Sequence, residues 1–298
     1  MHLFACLFIF TLLSSCSYLR QDLDTAKPDI QRVVLVSIDG LRPDAINKSN
    51  ASNLYKLSRN SLYFPLARTI QRSVTLPSHT SMLTGLDVTQ HKVTKNKSLP
   101  GYLPFPTVLT MLKQQGKSTA AFYSKKKLNH LLPPDSVDYL YGTNHDGVGY
   151  HQTNANDLAA EFARTWNEQG YNMTFIHIRE PDSTGHKHGW MSPEYLNQAV
   201  PAADAAIGTI YNSILNSQHA DNTLLIITAD HGGKDKTHWY ERPEDLTIPW
   251  MAIHPGIKAE TVNNSQVIIY DTTPTILYLL GMPVPADLDG KIIKQFQN

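Results

Sequence analysis

The residues in this sequence that could do chemistry fall mostly at one kind of place, just past an apolar run. The clearest case is Thr223 to His238, TLLIITADHGGKDKTH, where Leu224 to Ile227 leads into Ala229-Asp230-His231-Gly232-Gly233. An unbroken apolar and β-branched run suits a strand buried on both faces. An acid and an imidazole at the end of such a strand are costly unless something uses them. The two glycines let the backbone turn sharply and come close to an ion or ligand. In open α/β sheets the site lies beyond the carboxyl ends of the strands. Asp230 and His231 are therefore candidate metal ligands, with His238 a third from the following loop. The plainer alternative is a capping Asp and a surface His in a tight turn. Val33 to Ile38 repeats the pattern and ends in Asp39-Gly40. Met173 to Ile178 is followed by Asp182 and His186, whose spacing lets one helical turn bring both onto one ion. In Thr75-Leu76-Pro77-Ser78-His79, Pro77 suits the first turn of a helix. Thr75 then sits at or just before the helix N-terminus, where free N–H groups and the dipole favour an anion. A hydroxyl there could attack phosphorus and leave the phosphate on the amides; the commoner use is a plain N-cap.

The elements that must position these residues alternate. Strands are expected at Val33–Ile38, Ser118–Tyr123, Met173–Ile178, Leu224–Ile227 and Pro249–His254. Helices are expected at Ala51–Asn60, Thr107–Gln115 and Ala155–Gln169. A longer helix over Pro193–Gln218 is expected to kink at Pro201, and a last one runs from Asp271 to Leu280 and stops at Gly281. Asn129 to Gly149, rich in Pro, Asp, Asn and Gly, reads as a long surface loop. Alternation of this kind implies an α/β fold: one mainly parallel central sheet with helices on both faces. No internal repeat and no second domain boundary appear in 298 residues.

The composition is that of a globular domain, with 41% hydrophobic and 17% charged residues and a formal net charge of zero. No basic block argues for nucleic-acid binding. The triplet Lys125-Lys126-Lys127 reads as a solvated loop, and nothing predicts a protein partner. Residues 1–15 read as a signal peptide. Leu3 to Leu13 is too short to span a bilayer but fits the apolar region of an export signal. Leu13-Ser14-Ser15-Cys16 is similar to a bacterial lipobox, in which Cys16 becomes the lipidated first residue. The expected layout is a tether at 16–31 and a catalytic domain at 32–298, lipid-anchored at the bacterial cell envelope. The two cysteines, Cys6 and Cys16, leave the mature domain without disulfides.

Taken in order, these stretches resemble the alkaline phosphatase superfamily, and within it the type I phosphodiesterase/nucleotide pyrophosphatase family. The likeness covers most of the mature chain. Ser37-Ile38-Asp39-Gly40 looks like the first metal-ligand motif. Thr75-Leu76-Pro77-Ser78-His79 stands where the family carries its nucleophile, with Leu83-Thr84-Gly85 behind it. His91 to Asn96 is similar to the stretch whose Asn binds a phosphoryl oxygen, although Lys92 stands where Gly is common. Glu180-Pro181-Asp182 with Gly185-His186, and Asp230-His231-Gly232, match the later ligand motifs. Pro274-Thr275-Ile276-Leu277, with Gly281 and Asp289-Gly290, resembles the closing helix shared with sulfatases.

The resemblance implies that Asp39, Thr75, Asp230 and His231 hold one metal, and that Asp182, His186 and His238 hold another. Mixed carboxylate and imidazole ligands suit two Zn²⁺ ions. It also implies in-line attack by Thr75, a phosphothreonine intermediate, release by water, and Asn96 with the Thr75 amide at the equatorial oxygens. The expected activity is hydrolysis of a phosphodiester or nucleotide pyrophosphate. The alternatives are a phosphomonoesterase or phosphonate hydrolase on the same site, or an envelope lipoprotein that only binds a phosphorylated ligand. Sulfate esters are disfavoured, because Thr75 cannot become the formylglycine that sulfatases use. Membrane-spanning phosphoethanolamine transferases also use a Thr. Phosphodiesters or nucleotide pyrophosphates are expected to be cleaved better than monoesters, since Asn96 is a neutral donor and no Arg directly follows Thr75.

Overall fold

The computed structural model describes residues 28–142, 153–263 and 267–297. The signal segment, Cys16 and most of the 16–31 tether lie outside the described residues.

The apolar runs become strands: β1 (Arg32–Ile38), β2 (Leu62–Arg68), β3 (Thr119–Tyr123), β4 (Tyr139–Gly142), β5 (Met173–Ile178), β6 (Thr223–Thr228), β7 (Thr247–Ile253) and β8 (Glu260–Thr261). They form one sheet in the order β4-β3-β5-β1-β6-β7-β2-β8. Every residue of β5 and β6 is buried, as is β1 beyond Arg32, which is why these segments carry no alternation. β1 lies between β5 and β6 and is parallel to both. Ser37 pairs with His177 on one side and Thr228 on the other, so the three strands end level. That register delivers Asp39, Asp230 and the segment leading to Asp182 to one place.

The helices are α1 (Ser52–Arg59), α2 (Thr75–Thr84), α3 (Val88–His91), α4 (Val108–Gln114), α5 (Ala155–Gln169), α6 (Glu180–His188), α7 (Val200–Leu215), α8 (Pro243–Leu246) and α9 (Thr272–Leu279). They flank the sheet in two packed groups, α5 and α1 against α7, and α2 with α4 and α9. Local signals set their ends. Asn154 and Asp157 form a reciprocal capping box at the start of α5, and Gly170 closes it in the left-handed conformation.

Three expectations need correction. Asn129–Gly149 is not all loop: β4 pairs in parallel with β3 there. Its four residues, none fully buried, are too few to show a period. β2 was not expected, because Pro65 interrupts its pattern. The proline sits where the pairing of β2 with antiparallel β7 shifts register between Phe64 and Ala67, a position that needs no N–H. The stretch expected to kink at Pro201 widens just ahead of it into a π-turn over Tyr195–Ala199, with Val200 N–H bonded to the Tyr195 carbonyl.

Candidate metal centre and nucleophile

Asp39 follows β1 and is completely buried. Its Oδ2 accepts from His177 Nε2 at 2.9 Å and meets Lys125 Nζ at 2.6 Å. Burial alone would raise this carboxyl, but the Lys125 ammonium and the bond from His177 hold it well below the ordinary carboxylate value. Gly40 comes next with φ +73, and a Cβ there would lie 2.9 Å from the Asp182 Cα. Only glycine permits both the turn and that approach. The approach allows Asp182 N–H to reach the Asp39 carbonyl at 2.9 Å and Gly40 N–H to reach Asp230 Oδ1 at 3.1 Å. Trp190 Nε1 and Tyr195 Oη donate to the Gly40 carbonyl at 2.9 and 2.8 Å.

Asp182 and His186 share a face of α6, with His186 Nε2 3.4 Å from Asp182 Oδ1. Asp230 and His231 follow β6 and are buried. Burial, with Asp39 and Asp182 close by, pushes the Asp230 carboxyl well above its usual value. The glycines after them are explained differently from the expectation. A Cβ on Gly232 would lie 2.1 Å from the Glu244 carbonyl and one on Gly233 2.3 Å from the Trp190 ring. The close approach is to the protein's own packing.

The three candidate imidazoles share one arrangement. Nδ1 of His186 donates to the Lys236 carbonyl at 3.1 Å, that of His231 to the Gly232 carbonyl at 2.8 Å, and that of His238 to the Ser73 carbonyl at 2.5 Å. Each ring is thereby held in the tautomer whose Nε2 offers a lone pair. Burial, with His231 stacked on it at 3.7 Å, lowers the His238 pKa to about 3 and keeps that ring neutral.

The converging atoms lack the protons that would join them. Asp39 Oδ1, Asp182 Oδ1, Asp230 Oδ2 and His231 Nε2 are buried without a hydrogen-bond partner. His231 Nε2 is 3.3 Å from both Asp39 Oδ1 and Asp230 Oδ2, and 3.8 Å from Asp182 Oδ1. His238 Nε2 lies 3.1 Å from His186 Nε2 and 3.6 Å from Asp182 Oδ1. Lone pairs this close repel unless a cation sits among them. Two sets have ligand spacing, Asp182 with His186 and His238, and Asp39 with Asp182 and His231. The donors fit divalent metal at both, with Asp182 facing each.

Thr75 is the first residue of α2 and is buried beside this cluster. The Thr75 carbonyl accepts from His79 Nδ1 at 2.8 Å, and Ser37 Oγ lies 2.8 Å from His79 Nε2. Asn96 Oδ1 accepts from Leu76 N–H at 3.0 Å and from Lys127 Nζ at 3.1 Å, leaving Nδ2 as its donor. Lys92 adopts φ +57, so the lysine takes the left-handed conformation for which glycine is suited. All eight expected site residues therefore meet around one centre.

Two kinds of residue were missed. His177 steadies Asp39 from inside β5, and its signal was an imidazole in an otherwise apolar strand. Lys125 was read as solvated, yet its side chain is 15% exposed. Its Nζ is 2.5 Å from Asp182 Oδ2 and 3.4 Å from Thr75 Oγ1. Asn96 is thus not the only donor near Thr75. Arg42 does not fill that place, since it bonds to Asp44 and the Gly233 carbonyl. Among the described residues no helix is long and apolar enough to cross a membrane.

The family profile described as Type I phosphodiesterase / nucleotide pyrophosphatase matches residues 33–246. The chain is 24% identical to GPI ethanolamine phosphate transferase 2 of Aspergillus fumigatus, over 94% of this chain and 39% of that protein. It is 22% identical to a bis(5'-adenosyl)-triphosphatase of Xenopus laevis, over 70% of this chain and 48% of the relative. The chain thus spans less than half the length of these curated relatives. Among solved structures, murine ectonucleotide pyrophosphatase/phosphodiesterase 5 in complex with AMP superposes with a TM-score of 0.69. That match covers 86% of this chain and 96% of the murine one at 15% identity. A phosphonate monoester hydrolase from Silicibacter pomeroyi superposes with a TM-score of 0.65 at 17% identity, covering 89% of this chain and 76% of that one. Both share the fold.

Proposed function

The chain belongs to the type I phosphodiesterase / nucleotide pyrophosphatase family, and from that premise we propose that it hydrolyses phosphodiesters or nucleotide pyrophosphates through a phosphothreonine. The observation that carries this reading is the set of partnerless buried ligand atoms beside a hydroxyl at a helix N-terminus. Asp39, Thr75, Asp230 and His231 would hold one Zn²⁺, and Asp182, His186 and His238 the other. Bound there, the metals lower the pKa of the Thr75 hydroxyl and offset charge on the phosphoryl oxygens.

The chain's own groups do the rest. Thr75 Oγ1, its proton lost to solvent, attacks phosphorus in line with the ester oxygen. The Oγ1–P bond forms as the P–O bond to the leaving group breaks. Asn96 Nδ2 and the free amide at the start of α2 donate to the equatorial oxygens, where negative charge grows. Water then attacks the phosphothreonine, and the Thr75 hydroxyl is restored. His79 anchors the first turn of α2 through its bond to the Thr75 carbonyl. His177 fixes the orientation of Asp39.

The test is a panel of nitrophenyl esters: phosphate diester, phosphate monoester, phosphonate and sulfate. Phosphorus esters should be turned over and the sulfate not; a sulfate hydrolysed faster than every phosphorus ester would refute the reading. The substrate is read as a small phosphorylated molecule, as the names of the relatives suggest. Export and lipidation at Cys16 belong to the same proposal. They rest on the apolar Leu3–Leu13 run and on Leu13-Ser14-Ser15-Cys16. Mass spectrometry of the mature N-terminus decides them, and an unmodified cut elsewhere ends the lipid anchor.

A further inference from the structure

The cleft beside Thr75 has a volume of about 420 Å³. Away from the metal ligands its lining carries Lys125, Lys126, Lys127 and Arg179 and no carboxylate. Two of these cations flank the place a phosphoryl group must take. Lys125 Nζ is 3.4 Å from the attacking oxygen. Lys127 Nζ contacts Asn96 at Oδ1 and at the carbonyl, 3.1 and 3.4 Å away, and Asn96 in turn holds the amide of Leu76, the residue after the nucleophile. Lys125 is balanced by Asp39 and Asp182. Lys127 is only partly exposed and has no carboxylate within ion-pair distance among the described residues. A cation placed so, in a cleft whose one lining carboxylate is the candidate metal ligand Asp182, takes its counter-charge from what binds there.

A simple diester brings one anionic oxygen to this place. A phosphoanhydride brings a second on the adjoining phosphate, and a monoester brings a second on the same phosphorus. We propose that Lys125 and Lys127 form an anion-recognising pair that makes the preferred substrate a phosphoryl group with a second negative charge on or next to the scissile phosphorus. This inference rests on the phosphate-ester reading above and narrows it, placing multiply charged phosphoryl groups ahead of simple diesters. Lys125 touches the reacting oxygen and is a catalytic residue. Lys127 acts partly through Asn96 and is a positioning residue.

The experiment compares kcat/KM for a dinucleoside triphosphate, nitrophenyl phosphate and bis-nitrophenyl phosphate in the native enzyme, Lys127→Gln and Lys127→Arg, at matched metal content. Lys127→Gln should lose about tenfold more on at least one multiply charged substrate than on the diester, the scale of one charge-assisted hydrogen bond. Inhibition by inorganic phosphate should weaken by a similar factor, and Lys127→Arg should recover much of both. Whether the extra loss falls on the triphosphate or the monoester identifies the source of the second charge. Equal losses on all three substrates, or none, overturn the inference and leave the phosphate-ester reading standing. A native enzyme inactive on all three overturns both.

Discussion

Thr75→Ala is expected to lower kcat/KM by at least about a thousandfold, the scale seen when a nucleophile is removed and only binding and transition-state stabilisation are left. The loss should be chemical and not structural. Thr75 is the first residue of α2, and the helix is fixed independently by the bonds of Ser78 N–H to the Val74 carbonyl and of His79 to the Thr75 carbonyl. The alanine keeps the backbone that His79 uses. The variant should therefore melt within a few degrees of the parent. Thr75→Ser keeps the hydroxyl and should retain measurable turnover, reduced because the missing methyl no longer restricts its rotamer. An alanine variant with activity near the parent's would show that water, and not Thr75, attacks the substrate.

Removing metal is expected to have an effect of comparable size on a different pair of measurements. The native protein should contain two transition-metal ions per chain, zinc by the nature of its ligands. Chelation should abolish turnover and lower the melting temperature together. The second effect follows from the charges left behind. Asp39, Asp182 and Asp230 crowd one buried place, where Lys125 is the only cationic side chain recorded in ion-pair contact among the described residues. A ligand that binds only the folded state stabilises it by an amount that grows with its concentration over Kd. Added Zn²⁺ should restore both properties. Full activity with metal below detection would rule out the assignment of Asp39, Asp182, His186, Asp230, His231 and His238 as ligands.

The parts of this site that could be read in advance are those where one residue type has few uses. An acid and an imidazole after a buried strand, or an acid and an imidazole four apart, name their chemistry through cost and spacing. The sheet was legible where strands are buried on both faces, because an unbroken run such as Leu224–Ile227 is itself a signal. β2 and β4 were not legible. Pro65 breaks the first, and the second is too short for any period to show. Lys125 was hidden for a different reason. A lysine in a basic triplet looks solvated from its neighbours, and its burial is set by Asp39 and Asp182, which are far away in sequence. The glycines of Gly232-Gly233 were expected to approach an ion or ligand; what they approach, Trp190 and the Glu244 carbonyl, belongs to segments no local pattern connects to them.

The position of β1 in the sheet has a consequence for how the chain is made. It is the first strand among the described residues, yet both of its neighbours come late: β5 begins at Met173 and β6 at Thr223. Until then its apolar residues and both rows of backbone groups have no native partner, and non-local pairing of this kind is slow to form. The nascent chain must carry an exposed, aggregation-prone strand through the synthesis of nearly two hundred further residues. The last candidate ligand, His238, emerges later still. A chain truncated before β6 would hold Thr75 and the candidate ligands Asp39, Asp182 and His186 on the β4-β3-β5-β1 part of the sheet alone, without Asp230, His231 and His238, so the proposed centre is completed only by the segment that begins with β6.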